Sequence, residues 1–191
     1  MISHCFTYQH TCSVSQDAHI LLHAPFKSGI KKGPNAKLKI PFLGVGYYFW
    51  EENITAAIRW GKKHYANKYR IVEYVDVTIK ADELLDLTNR RDINYFKELQ
   101  KAYTEVRPSA AKWPIGTWIE FFKKLKALDE LKFPFNYIKA DEHLPEREKA
   151  EYDKGKAFFA EGLPYYTYLD PLYMLCVIDK KQLNFKEKRL I

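Results

Sequence analysis

The residues whose types and spacing could do chemistry are His10, the pair Gly44 and Gly46, and the aromatic run Tyr47-Tyr48-Phe49-Trp50. Two glycines one residue apart let a backbone turn tightly or approach a ligand closely, and the aromatics that follow supply flat, partly polar surfaces on a short strand. Such a unit can stack a planar ring. A glycine-relieved turn into an aromatic core strand accounts for the same residues, and both readings stay open at this level. His10, at the end of an expected first strand, is likewise either structural or part of a site. The chain has no GxxxxGK[ST], no GxGxxG between a strand and a helix, no GxSxG, no HExxH and no paired cysteine ligands. P-loop hydrolysis, hydride transfer and zinc catalysis are therefore not expected, and no metal is.

The elements that must position these residues follow from periodicity and caps. Residues 2–11 read as a first strand, 13–22 as a short helix, and 29–39, with Gly33-Pro34-Asn35, as a loop leading to the aromatic strand. Asn53 is a good N-cap for a helix whose apolar positions are Ile54, Ala57, Ile58, Gly61 and Tyr65. Residues 69–79 alternate, with Ile71, Val75, Val77 and Ile79 forming one apolar stripe broken by Glu73. Residues 84–88 make a short return. Asp92 is the expected cap of a helix carrying Ile93, Phe96, Leu99 and Tyr103, and a second helix over 115–128 buries Trp118, Ile119, Phe122 and Leu125. Residues 133–140 and 172–179 read as strands, 142–156 as a charged helix or loop, and 182–190 as an edge strand. With no internal repeat or linker, the order is α+β in one domain spanning 1–191.

At 191 residues and 22.6 kDa the chain can bury one sizeable core. Aromatics make 16% of it, enough for many half-buried tyrosine surfaces. No stretch approaches the roughly 20 apolar residues of a membrane span, and the chain does not start with basic residues followed by an apolar run. A cytoplasmic protein without a membrane partner is expected. Cys5, Cys12 and Cys176 have neither metal-ligand spacing nor an even count, and are expected to be reduced, buried and inert. The net charge of +7 favours phosphate-bearing partners, but the basic residues are interleaved with 24 acidic ones. Solvated faces and a nucleic-acid groove are both compatible with that charge.

The segment Gly44-Val-Gly-Tyr-Tyr48-Phe49 resembles, position by position, the GxGxYF element of the ADP-ribosyltransferase superfamily, in the branch of diphtheria toxin and the poly(ADP-ribose) polymerases. Ala56, Ala57 and Trp60 resemble the helix behind that strand. The segment Tyr8-Gln9-His10-Thr11-Cys12 is similar to the family's YHG[TC] motif, with His10 ten residues before Ile20-Leu21 and Thr11 in place of the glycine. Phe26-Lys-Ser28 resembles the next element. The run 172–183 looks like the final core strand and its exit, which puts Met174 where the family carries its catalytic glutamate.

The resemblance implies a single ADP-ribosyltransferase-like domain of two packed, mainly antiparallel sheets, with helices inserted between the strand groups. It implies NAD as substrate and no metal. Tyr48, with Tyr47 nearby, would stack on nicotinamide, His10 would hydrogen-bond a ribose hydroxyl, and the main chain of Thr11 would clamp the carboxamide. Gly44, Gly46 and Met174 would complete the binding surface. Cleaving the bond between nicotinamide and ribose passes through an oxocarbenium-like transition state, for which the family uses a carboxylate. Glu51, Glu52, Glu120, Glu161 and Asp170 are candidates to supply it, Glu120 and Glu161 being the expected catalytic ones. The expected activity is mono-ADP-ribosyl transfer to a protein or nucleic-acid acceptor by a bacterial toxin or defence effector, with an antitoxin or regulatory partner. A catalytically silent module binding a nucleotide or partner is the alternative, and a basic nucleic-acid-binding domain the second.

Overall fold

The computed structural model describes residues 3–33, 38–142, 156–158, 166–168 and 171–191. In chain order these form β1 (Ser3–Ser13), α1 (Asp17–His23), β2 (Lys31–Lys32), β3 (Leu38–Lys39), β4 (Tyr47–Glu51), α2 (Ile54–Tyr65), β5 (Tyr69–Lys80) and β6 (Leu84–Asp86). There follow α3 (Arg90–Val106), α4 (Ile115–Ala127), β7 (Tyr137–Asp141), β8 (Lys156–Phe158), β9 (Tyr166–Tyr168), β10 (Tyr173–Val177) and β11 (Glu187–Leu190). The fold is α+β. Seven strands form one sheet in the order β11-β5-β1-β4-β10-β7-β6, while β2-β3 and β8-β9 form two-stranded sheets. Every pairing in the large sheet is antiparallel except β6 with β7. Among the described residues no helix is long and apolar enough to cross a membrane.

Both faces of the large sheet are buried. On one, Trp50, Ile71, Ile138, Ala140, Met174 and Cys176 meet Ala56 and Ala57 of α2, Phe96 of α3, and Trp118, Ile119 and Phe122 of α4. On the other, Tyr8, Phe49, Val72, Tyr74, Val77, Ile79 and Leu175 meet Ile20 of α1 and the C-terminal residues Leu183 and Phe185. Alternation along β4 therefore sends Tyr47 and Phe49 to the second face and Tyr48 and Trp50 to the first.

The expected single stripe on β5 is broken by more than Glu73. Phe6 pairs with Val77 but Tyr8 with Tyr74, so β5 carries an extra residue, and Asp76 takes φ +53° there. One extra residue reverses the parity of a strand. Ile71 consequently faces the helices, whereas Val72, Tyr74, Val77 and Ile79 share the opposite face.

Other boundaries shift for local reasons. The first helix starts at Asp17, because Ser13 still pairs with Tyr69 and the Val14 N–H donates to Lys68 O. The cap of α3 is Asn89, whose side chain accepts from Arg91 N at 2.8 Å, and not Asp92. Asp92 is buried within the first turn and accepts from the Asp86 N–H. The strand expected over 133–140 begins only at Tyr137: Pro134 has no N–H to pair, and Phe133 packs into the helix-side core instead. The edge strand at the C-terminus forms as β11 against β5, and the 29–39 loop contains the β2-β3 hairpin. Most of the expected 142–156 segment lies outside the described residues.

Helix α2 is tied to β1 through polar side chains. Asn53 Oδ1 accepts from Ala56 N at 2.8 Å, its own N–H donates to Gln9 Oε1, and Thr11 Oγ1 donates to Ala57 O. Asn53→Ala removes a buried cap and is expected to cost about 1–2 kcal/mol in urea unfolding; a change of only a few tenths would show that α2 does not depend on it.

Candidate functional site

The turn before β4 is built around the absence of side chains. Gly44 has φ +81°, and a Cβ there would lie 2.6 Å from Glu120 Oε1. That oxygen accepts from Val45 N at 2.7 Å, while Lys123 Nζ donates to Val45 O and pairs with Glu120 at 2.6 Å. Gly46 bridges to Ser28, and a Cβ on it would collide with Cys176 Sγ and lie 2.7 Å from Val177 O. The Tyr48 hydroxyl closes the turn by donating to Gly44 O at 2.6 Å and accepting from Leu43 N at 2.8 Å. Burial pushes this phenol far above its ordinary pKa. Glu120 and Tyr48 thus hold the main chain of residues 43–46.

His10 lies on the opposite face, with its ring centroid 5.6 Å from Phe49 and 6.2 Å from Phe26. Because the Phe26 N–H can only donate, Nε2 of His10 is the acceptor at 3.0 Å, and Nδ1 carries the hydrogen donated to Tyr48 O at 2.8 Å. The imidazole is neutral, its pKa lowered to about 4 by burial, with Lys180 lowering it further and the bond to Tyr48 opposing both. Thr11 is buried in β1 opposite Ile71.

The three motif-bearing strands are neighbours in the order β1-β4-β10, but their side chains do not converge. Tyr48 and Met174 pack with the helix-side core, and Met174 is 4% exposed between its strand partners Trp50 and Ala140. Tyr47 packs with the other core, opposite Val177. Tyr48 meets His10 through its main-chain carbonyl and not through its ring. Glu52 is exposed with φ +49°. Glu161 and Asp170 lie outside the described residues.

On the His10 face, two positions along β1, the structure assembles a polar group that sequence reasoning did not bring together. Tyr8 donates its hydroxyl to Glu51 Oε2 at 2.9 Å, and Lys139 of β7 pairs with Glu51 Oε1 at 2.5 Å. The Glu51 and Lys139 side chains are only 7% and 12% exposed. The Lys139 ammonium lies 4.3 Å from the Tyr173 ring centroid and 5.6 Å from that of Phe6. Burial, and then the Glu51 charge, raise the Tyr8 phenol. A cavity of about 180 Å³ opens here, lined by Phe6, Tyr8, Glu51, Ile79, Leu84, Asp86 and Lys139. In the sequence the signal for Lys139 is a charge inside an apolar strand, and Glu51 is one of the candidate carboxylates. A larger open groove of about 570 Å³ near Ile54, Ile58 and Ile191 has Arg70 as its one charged lining residue, and Arg70 is paired with Asp17.

All three cysteines are free, and Cys5 is exposed rather than buried. Burial raises Cys12 to about 11 and Cys176 to about 12, so neither is a thiolate at neutral pH. Among the described residues no three His, Cys, Asp or Glu side chains are grouped to hold a metal ion.

His10 links this site to pH. The unfolded chain protonates it near 6.5 and the folded chain only near 4. The unfolded state therefore binds more protons between those values, and stability that is full above about 6.5 falls as pH drops toward about 4. Its slope reaches at most about 1.4 kcal/mol per pH unit, and His10→Gln is expected to flatten that limb in urea unfolding across the window; an unchanged slope would assign it to other groups. Tyr48→Phe strands the Leu43 N–H and the Gly44 carbonyl and is expected to cost about 1–3 kcal/mol by the same measurement, whereas a neutral change would mean that the turn holds without the hydroxyl. No protein-family model, no curated protein and no solved structure matches the chain.

Proposed function

We propose that the chain is an NAD-dependent mono-ADP-ribosyltransferase acting on a protein or nucleic-acid acceptor, in the manner of a bacterial toxin or defence effector, with its reaction face on the His10 side of the sheet. The observation that carries this reading is the adjacency of β1, β4 and β10, which sets Glu51 across from Tyr8, on the same face as His10. Glu51 then serves as the carboxylate that Met174 cannot supply.

The chemistry asks for two things. The ring and ribose must be held still, and the positive charge that grows on the sugar as the nicotinamide bond breaks must be met by a negative group in a dry site. Glu51 is such a group: it is nearly excluded from water and held from two sides by Tyr8 and Lys139. A cation developing on ribose competes with the Lys139 ammonium for the same oxygen. His10 stays neutral at physiological pH and offers one donor and one acceptor, both engaged by main chain in this structure. A ribose hydroxyl must displace one of those contacts. The cavity has room for a single ring of NAD, so it fits the reacting end of the dinucleotide rather than the whole.

Two observations favour the second reading, a module that binds a nucleotide or partner without turnover: the apolar Met174 in the strand core, and the saturated hydrogen bonding of His10. Incubation of the purified chain with labelled NAD and candidate acceptors separates the two. Turnover predicts nicotinamide release and label transfer that fall by about a hundredfold or more in Glu51→Gln. NAD binding by calorimetry without nicotinamide release would sink the transferase and leave the binding module; no release and no binding of NAD, ADP-ribose or another nucleotide would remove the transferase and the ligand-binding form of the module.

A further inference from the structure

The segment between α1 and β4 has a charge pattern unlike the rest of the chain. Residues 18–50 contain no Asp or Glu, where the average density of the sequence would place about four, and they carry Lys27, Lys31, Lys32, Lys37 and Lys39. Lys27, Lys31, Lys32 and Lys39 are exposed, and none of them has an ion-pair partner among the described residues. Lys31 stands directly opposite Lys39 in the β2-β3 hairpin. Like charges in that relation repel each other, and a bound polyanion relieves the repulsion.

The same segment presents rings. Phe26, before the hairpin, is 37% exposed and Phe42, after it, 47%. Both are rooted in ordered structure: the Phe26 N–H donates to His10 Nε2, and a Cβ on Gly116 of α4 would lie 3.0 Å from Phe42 O. Ile30 and Leu38 add exposed apolar surface between them, at 47% and 66%.

We infer that this hairpin surface binds single-stranded nucleic acid, with Lys27, Lys31, Lys32 and Lys39 on phosphates and Phe26 and Phe42 as stacking platforms for unpaired bases. Lysines flanked by exposed rings are what strand binding without strong sequence preference requires, since every base has a face to stack. Paired bases keep their faces inside the duplex, so the rings discriminate in favour of single strands. Residues 21–42 contain no Tyr, Trp or Arg, the side chains that concentrate binding energy at protein interfaces. A second copy of the chain would bring the same positive charge. The inference stands apart from the NAD reading: turnover without strand binding defeats this inference alone, and strand binding without turnover defeats the transferase alone.

Fluorescence anisotropy of the full chain with a labelled oligonucleotide of roughly 20 nucleotides, as single strand and as duplex across a salt series, tests it. The single strand is expected to bind more tightly, with log K falling by about 3 per decade of salt for four phosphate contacts. The double variant Lys31→Gln/Lys39→Gln should shallow that slope by about 1.4. Phe42→Ala should weaken binding at least about fivefold with the slope unchanged. All three positions are exposed, and circular dichroism checks that the variants fold. Absence of binding at low salt, equal affinity for duplex, a slope unaltered by the double variant, or a preference for acidic peptide or anionic vesicles over the oligonucleotide would overturn it.

Discussion

Residues 43–46 turn in a space that admits no side chain at Gly44 or Gly46, and the placement of the central strand depends on that fit. On one side the carboxylate of Glu120 and the ammonium of Lys123 grip both main-chain groups of Val45. On the other, Gly46 lies against Cys176 and Val177 of β10. A methyl group at either glycine would meet atoms well inside van der Waals contact, and φ at Gly44 is one that other residues adopt only with strain. From this turn β4 enters the sheet between β1 and β10, which brings His10 to the Tyr48 carbonyl and Glu51 to Tyr8.

Burial of both sheet faces gives each polar group on those strands a definite environment. His10, Thr11 and Gln9 are all nearly inaccessible, and each is hydrogen-bonded to a different part of the chain. Such bonds contribute modestly to net stability, but leaving any one partner unmatched costs more than the bond contributes. Glu51 and Lys139 differ in kind. Removing two charges from water is expensive, and a buried ion pair is weak evidence for stability. The pair lies beside a cavity also lined by Phe6, Tyr8, Ile79, Leu84 and Asp86, on the face that carries His10, whereas the Tyr48 hydroxyl is closed on the main chain of its own turn.

Much of the architecture was legible before the structure. The Asn53 cap, the stripe of α4 and the C-terminal edge strand follow from local rules and are present, while on α2 Ala57 and Gly61 are buried as expected but Ala56 joins them and Ile54 is exposed. The failures are equally local in origin. Asn89 and Asp92 are both capping types three residues apart, and only the path of β6 assigns one to the cap and the other to the Asp86 N–H. The extra residue on β5 leaves no mark in its run of β-formers, so residue alternation alone does not reveal it.

The candidate site divides along the same line. By itself the sequence determined that Gly44 and Gly46 precede an aromatic strand, that His10 is strand-borne, and that position 174 carries no carboxylate, because these depend on residue type and order alone. Only the tertiary structure decided that Tyr48 turns toward α2, α3 and α4 while His10 lies on the face that α1 covers, since strand pairing sets which residues share a face. It likewise decided that Lys139, 88 residues after Glu51 in the chain, closes the ion pair. No local pattern encodes that contact, because it exists only once β4, β10 and β7 lie side by side.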